Sequence, residues 1–137
     1  MAVESKRTTF VNSMTNYILV FVGGGLGATA RYCLQGFIYA ESGTRFPYGT
    51  LAVNILGCFV IGLIMSSMEE RFLVQPSIRI FLTIGILGGF TTFSSFSFET
   101  ISLFRDGEAL YALANALGSL LLCLSCTWLG LQLGKLV

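Results

Sequence analysis

The stretch covering residues 85–99, Gly-Ile-Leu-Gly-Gly-Phe-Thr-Thr-Phe-Ser-Ser-Phe-Ser-Phe-Glu, holds the densest chemistry in the sequence. Phe93 and Phe96 are i, i+3 neighbours, and Ser94 and Ser97 repeat that spacing beside them. A phenyl ring has a negative face and a positive edge. Edges turned to one side can touch a small anion without a formal charge, while neighbouring hydroxyls donate hydrogen bonds. The alternative for such an aromatic stripe is ordinary packing. Upstream, Gly88-Gly89 and Thr91-Thr92 make a poor helix interior, since glycine costs about 1 kcal/mol against alanine and threonine is stiff. The pattern predicts a break between Gly88 and Thr92. Carbonyl oxygens freed at Gly88 and Thr91 suit a hard monovalent cation. Glu99 follows and is expected where the helix reaches water.

Three further polar groups stand in apolar surroundings. Asn54, in Gly-Thr-Leu-Ala-Val-Asn-Ile-Leu-Gly, is either a helix–helix hydrogen-bond partner or a donor lining a pathway. Arg31 follows Gly-Gly-Gly-Leu-Gly-Ala-Thr-Ala and reads either as a snorkelling arginine or as a cation facing a wet vestibule that attracts anions. Gly23, Gly24 and Gly27 offer a small-residue face for close helix packing. Asn115 and Ser119 share a later apolar run with Cys123 and Cys126, which form a C-x-x-C spacing; Cys33 and Cys58 complete the cysteines. Mid-run thiols lack the electropositive, exposed setting of a redox pair, so packing is the expected role. There is no histidine, phosphate-binding glycine loop, zinc spacing or serine triad. The chain is not expected to be an enzyme.

The elements that must position these groups follow from composition. Of 137 residues, 54% are hydrophobic and 11% charged, where soluble domains carry about 25% charged residues. A water-facing surface cannot be built from this, and a protein embedded in a lipid bilayer can. Eight Lys and Arg against seven Asp and Glu leave a net charge of +1, which gives no footprint for nucleic acid. Uncharged runs span residues 8–30, 46–68, 80–98 and 109–134, and each meets the roughly 20 residues that cross a hydrocarbon core. Helices are expected near 17–39, 48–68, 77–104 and 109–136. Residues 1–15 read as a polar tail, without the features of a cleaved signal peptide, and 16–137 as a single four-helix transmembrane domain. Met14 is an alternative start.

With both termini on one side, that side holds Lys6, Arg7, Arg71, Arg79 and Lys135, against Arg45 and Arg105 opposite. The positive-inside rule then places the termini inside. From Met14 onward the margin shrinks to one charge, which permits insertion both ways. Four helices also fill their own centre with side chains, so transport needs a partner subunit.

These motifs resemble the Fluc (CrcB-type) fluoride channels of bacteria. The carriers are the glycine-rich stretch ending in Arg31-Tyr32, the stretch around Asn54, and residues 85–99; the resemblance extends over about residues 23–130. It implies a passive fluoride-selective channel in the cytoplasmic (inner) membrane that relieves fluoride toxicity. It also implies an antiparallel, dual-topology homodimer with two pores along the subunit interface and a structural sodium ion at its centre. On that resemblance, Gly88 and Thr91 are the sodium-binding carbonyls, Phe93 and Phe96 the pore phenylalanines, and Asn54 the pore asparagine. Ser94, Ser95, Ser97 and Ser119 belong to a polar track, Arg31 is the vestibule cation, and Glu99 the carboxylate near the pore mouth. Asn115 stands where many relatives carry a tyrosine, so the contact to the first pore phenylalanine is expected to differ.

Two other classes fit a small four-span chain. A proton-coupled exporter of the small multidrug type needs an intramembrane carboxylate, whereas the first span here carries Arg31. A membrane thiol oxidoreductase needs cysteines at the membrane surface, whereas Cys58, Cys123 and Cys126 lie inside apolar runs.

Overall fold

The computed structural model describes residues 2–42, 45–70 and 75–136. All secondary structure among them is helical: α1 (Ala2–Ser42), α2 (Tyr48–Glu70), α3 (Pro76–Ile80), a π-helical stretch (Phe81–Leu87), α4 (Gly88–Phe90), α5 (Phe93–Arg105) and α6 (Ala109–Gly134). Four segments among the described residues are long and apolar enough to cross a membrane: Ser13–Glu41, Tyr48–Glu69, Pro76–Arg105 and Ala109–Gly134. The polar residues ahead of the first apolar run continue α1, so that helix begins at Ala2 and not near Tyr17.

The spans alternate in direction. At one end, Arg45 pairs with Glu108 at 2.8 Å, joining the first and third connections. At the other, Ser77 donates to Asn16 at 3.4 Å and Ser67 to the Gly134 carbonyl at 3.4 Å. Both ends of the chain therefore share a side, as the charge count assumed. Arg71, which enters that count, lies outside the described residues.

Glycine seams bring the helices close enough for backbones to touch. A Cβ added at Gly23 would lie 3.0 Å from the Gly85 Cα, and one at Gly27 would run into the Ile86 carbonyl. The expected small-residue face of α1 is thus the seam to the third span. A second seam joins α2 to α6: Cβ atoms at Gly130 or Gly134 would meet the carbonyls of Phe59 or Leu63. Lipid offers no hydrophobic drive between helices, so this close packing supplies the attraction.

The third span is interrupted, as the glycine–threonine pattern predicts, but the interruption is narrower than expected. Gly88 keeps helical angles (φ −63°, ψ −35°). Only Thr91 (φ −82°, ψ 157°) and Thr92 (φ −149°, ψ 115°) are extended. Ahead of the break, the π-helical stretch Phe81–Leu87 lays Gly85 against α1. Pro76 starts the span, where its missing N–H costs nothing.

Candidate functional site

Extended backbone at membrane depth is tolerated only where its polar groups find partners within the protein. Here the partners are side chains. The Thr92 N–H donates to Asn54 Oδ1 at 2.8 Å, and Asn54 Nδ2 donates to the Thr92 carbonyl at 3.0 Å. Thr92 then caps α5: its Oγ1 accepts from the Ser95 N–H at 3.2 Å, satisfying one of the free donors of a helix start. The same hydroxyl lies 3.1 Å from Ser95 Oγ and 3.2 Å from Ser94 Oγ. Thr91 N–H and Thr91 Oγ1 both donate to the Leu87 carbonyl at 3.0 Å.

These bonds turn two donors away from their usual helical acceptors. Thr92 N–H points to Asn54 instead of the Gly88 carbonyl, and Ser95 N–H points to Thr92 Oγ1 instead of the Thr91 carbonyl. The Gly88 and Thr91 carbonyls thereby lose the donors that a continuous helix would supply.

A cavity of about 580 Å³ opens beside the break. Asn54, Gly88, Thr91, Phe93, Phe96 and Ser119 all line it, so six of the residues singled out from sequence are brought together. The rings of Phe93 and Phe96 lie 5.4 Å apart at 46°. Phe93 is 78% exposed in the single chain, an unusual condition for a residue at the centre of a cluster. Asn115 stands behind the cavity wall, only 2% exposed. Its Nδ2 donates to Thr100 Oγ1 at 2.8 Å, its Oδ1 accepts from Ser119 at 3.3 Å, and Thr100 donates onward to the Phe96 carbonyl at 2.7 Å. This chain of hydrogen bonds ties α6 to α5 directly beneath Phe96.

Glu99 does not stand where its helix meets water; α5 runs on to Arg105. Its Oε1 accepts from Thr50 at 2.8 Å and Tyr39 at 3.3 Å, and Gln35 donates to Thr50 at 3.0 Å. Glu99 Oε2 is shielded and has no hydrogen-bond partner among the described residues. Glu99 also lines a smaller hollow of about 220 Å³, with Arg45 and Asp106 from the connections. Arg31 is half-buried, and Ser94, Ser95, Ser97 and Arg31 line neither cavity.

Thr50, Tyr39 and Gln35 were not singled out from the sequence, and Thr92 was read only as the end of the break, not as the cap of α5 or the partner of Asn54. One signal was available for Thr50, which sits i, i+4 from Asn54 and so shares its face. The pairings with Glu99 join α1, α2 and α5, and no local spacing reveals them.

Fold and site together define a small multi-pass membrane protein whose polar groups at membrane depth gather around an interrupted third span. The family model described as "CrcB-like protein, Camphor Resistance (CrcB)" matches residues 18–131, and the chain belongs to this family. Among its relatives, the "Fluoride-specific ion channel FluC" of Geotalea uraniireducens (strain Rf4) is 56% identical over 87% of this chain and 94% of its own length. The channel of the same name from Geobacter metallireducens (strain ATCC 53774 / DSM 7210 / GS-15) is 50% identical over 89% of this chain and 98% of its own. That from Citrifermentans bemidjiense (strain ATCC BAA-1014 / DSM 16622 / JCM 12645 / Bem) is 48% identical over the same shares, 89% and 98%. The family read from the residues is the family found, and these relatives are named as channels, not enzymes.

Proposed function

We propose that this protein is a passive fluoride-selective channel of the bacterial cytoplasmic membrane. It works as an antiparallel homodimer with two pores along the subunit interface, and its efflux of fluoride relieves toxicity. The observation that carries this reading is the meeting of Asn54, Phe93, Phe96 and Ser119 on one cavity wall, in a chain whose relatives are named fluoride-specific ion channels.

The chemistry fits a small, strongly hydrated anion. Fluoride must exchange water for other positive partners, and a formal cation in the pore would hold it too tightly for passage. Phenyl edges and a carboxamide N–H supply partial positive charge instead. Asn54 uses one amide hydrogen on Thr92 and has a second for the cavity. Ser119 carries the polar route along the cavity wall with Asn115 behind it. Ser94, Ser95, Ser97, Arg31 and Glu99, which lie off that cavity in the single chain, are assigned on the family resemblance to the polar track, the vestibule and the pore mouth of the dimer.

A second copy answers two features of the single chain. Phe93 is largely exposed, and four spans leave the cavity open instead of enclosing a passage. Placing two copies in opposite orientations brings the two breaks together near midplane and closes the assembly by two-fold symmetry.

The Gly88 and Thr91 carbonyls, turned free of helical donors, fit a hard monovalent cation, and we assign them to the sodium ion at the dimer centre. When bound, the ion supplies the positive charge that two interrupted backbones facing each other require.

The test is purified protein in liposomes, with fluoride efflux followed by a fluoride electrode and chloride as comparison. Fluoride efflux without a proton gradient, with chloride retained, is the expected result. Drug-cation movement that follows a proton gradient, with no fluoride flux, would replace this reading by the exporter.

A further inference from the structure

A hydroxyl inside a helical span has no water to donate to, so the protein itself must take up its hydrogen. Thr29, Ser67, Thr83, Thr91, Thr100 and Thr127 all donate to the carbonyl four residues back, the usual local solution. Ser119 departs from it. Its Oγ donates at 3.3 Å to the side-chain Oδ1 of the residue four back, Asn115.

This bond belongs to a chain whose direction is set from its far end. The Phe96 carbonyl can only accept, so Thr100 donates to it at 2.7 Å. With its hydrogen spent, Thr100 Oγ1 must accept from Asn115, 2.8 Å away, which turns the amide NH2 toward α5. Oδ1 then faces Ser119, and Ser119 must donate. Ser119 lines the large cavity, yet its hydrogen is directed to the side chain behind the wall. An anion arriving there meets the wrong end of the hydroxyl dipole.

The same groups have a second arrangement. If the amide turns over, Thr100 donates to Oδ1, the Asn115 NH2 donates to Ser119 Oγ, and the Ser119 hydrogen is free for an anion. The Phe96 carbonyl keeps the helical N–H of residue 100 within α5. Counting the bond to the anion, this arrangement holds as many hydrogen bonds as the resting one and strands no acceptor. Rotating the Ser119 hydroxyl alone would leave Oδ1 unmet, which is costly for a side chain only 2% exposed. A carboxamide can reverse because its two ends are alike in shape and opposite in hydrogen-bonding sense. The link at the cavity wall, 3.3 Å, is also the longest of the chain and the easiest to open.

We propose that Asn115 and Thr100 are positioning residues that form a reversible relay, turning the Ser119 hydroxyl toward the cavity when fluoride arrives and away when it leaves. The action on fluoride rests on the channel reading above; the resting direction of the relay does not.

The test follows the Asn115 side-chain amide by nuclear magnetic resonance in detergent, on protein isotopically labelled at asparagine, with Asn115→Leu identifying its signal. Without fluoride, Thr100→Val keeps the side-chain shape and removes the hydroxyl, and it should move that signal. Thr100→Ser should leave it near its wild-type position. Fluoride, and not chloride at equal concentration, should shift the signal in the wild-type protein. In Ser119→Ala the fluoride shift should vanish, because buried Asn115 reaches the cavity only through Ser119.

Efflux from liposomes gives the second readout. Without the Thr100 hydroxyl, the resting arrangement keeps only the bond from Ser119 to Oδ1, while the turned one keeps the bond from the amide and adds that to the anion. Fluoride thus gains a hydrogen bond that it does not gain in the wild type. Half-saturating fluoride should fall about two- to tenfold in Thr100→Val, the worth of one net hydrogen bond, and stay at the wild-type value in Thr100→Ser. A Thr100 that only braces the helices would lower maximal efflux or stability and leave half-saturation alone. An unmoved amide signal in Thr100→Val overturns the relay. No fluoride shift in the wild type, a shift that persists in Ser119→Ala, or unchanged half-saturation in Thr100→Val overturns its action on the anion. If Thr100→Val fails to fold, the wild-type and Ser119→Ala titrations decide. Absence of fluoride efflux from the wild type refutes the channel reading, and the fluoride-free comparison of the Thr100 variants then still decides the resting direction.

Discussion

Asn54 and Thr92 hold each other by reciprocal hydrogen bonds, the amide donating to the Thr92 carbonyl at 3.0 Å and the Thr92 N–H donating to Oδ1 at 2.8 Å. The side chain of α2 thus replaces the backbone partners that the break in the third span removes. A carboxamide is the side chain suited to this, since it offers a donor and an acceptor in one plane. Asn54 has a structural duty at the break as well as a place on the cavity wall.

Asn54→Leu keeps the bulk and leaves both Thr92 backbone groups unmet. Each unmet buried group costs about 1–3 kcal/mol. The variant should melt at a clearly lower temperature in detergent and lose fluoride efflux. Native-like melting would show that the break is satisfied without Asn54.

For the phenylalanines, Phe93→Ile and Phe96→Ile keep apolar bulk and delete the ring quadrupole. A barrier increase of about 1.4 kcal/mol already slows passage tenfold. Each variant should therefore lose at least about tenfold of fluoride efflux while its size-exclusion profile stays that of wild type. Full efflux in both variants would reduce the tilted pair, 5.4 Å between ring centres, to packing.

Much of the fold could be read from the sequence because charge is expensive in hydrocarbon: four uncharged runs could only be spans. The interruption was legible because glycine and β-branched threonine disfavour helix at the same place. What stayed hidden was tertiary pairing. Nothing near Thr92 in sequence says that its backbone meets Asn54, and nothing near Glu99 says that Thr50 and Tyr39 donate hydrogen bonds to one of its oxygens. Glu99 was expected in water because carboxylates usually end a span; two hydroxyl donors from other helices reverse that expectation. The narrowness of the break has the same origin, since Asn54 and the Thr92 cap repair the backbone within two residues.

Asn115 ties Ser119 to Thr100 behind the cavity. Asn115→Leu should lower stability by about 1–3 kcal/mol, because the Ser119 hydroxyl loses its acceptor and Thr100, which still donates to the Phe96 carbonyl, loses its donor. Ser119→Ala should cost less, since it leaves only one acceptor unmet. The double variant should be less destabilised than the sum of the two, as expected for contacting residues. Strict additivity in chemical or thermal unfolding would mean that the bond between Asn115 and Ser119, 3.3 Å long, contributes nothing.

Removal of sodium tests the carbonyls of Gly88 and Thr91. Protein purified and reconstituted with N-methylglucamine in place of sodium should conduct poorly or melt early, and adding sodium back should restore it. Unchanged efflux and melting after exhaustive sodium removal would take the ion out of the account.

Topology can be tested through the second connection. The side holding the chain ends carries Arg71, Arg79 and Lys135 beyond Met14, against Arg45 and Arg105 on the other. Arg45 is also paired with Glu108, although only Lys and Arg count toward orientation. A margin this small should let both orientations insert at comparable levels. Exposed Gln75, replaced by cysteine in a background lacking the four native cysteines, is the reporter. An impermeant thiol reagent should label it from each face of the membrane in separate fractions of the molecules. Three lysines added within residues 71–75 should drive that connection to the cytoplasm and lower fluoride efflux, because oppositely oriented partners become scarce. Coexpression with a variant carrying added lysines beside Arg105 should restore it. Labelling from one face alone in a fully conducting protein would exclude the antiparallel pair, and the pore lined by Phe93 and Phe96 would then have to close without it.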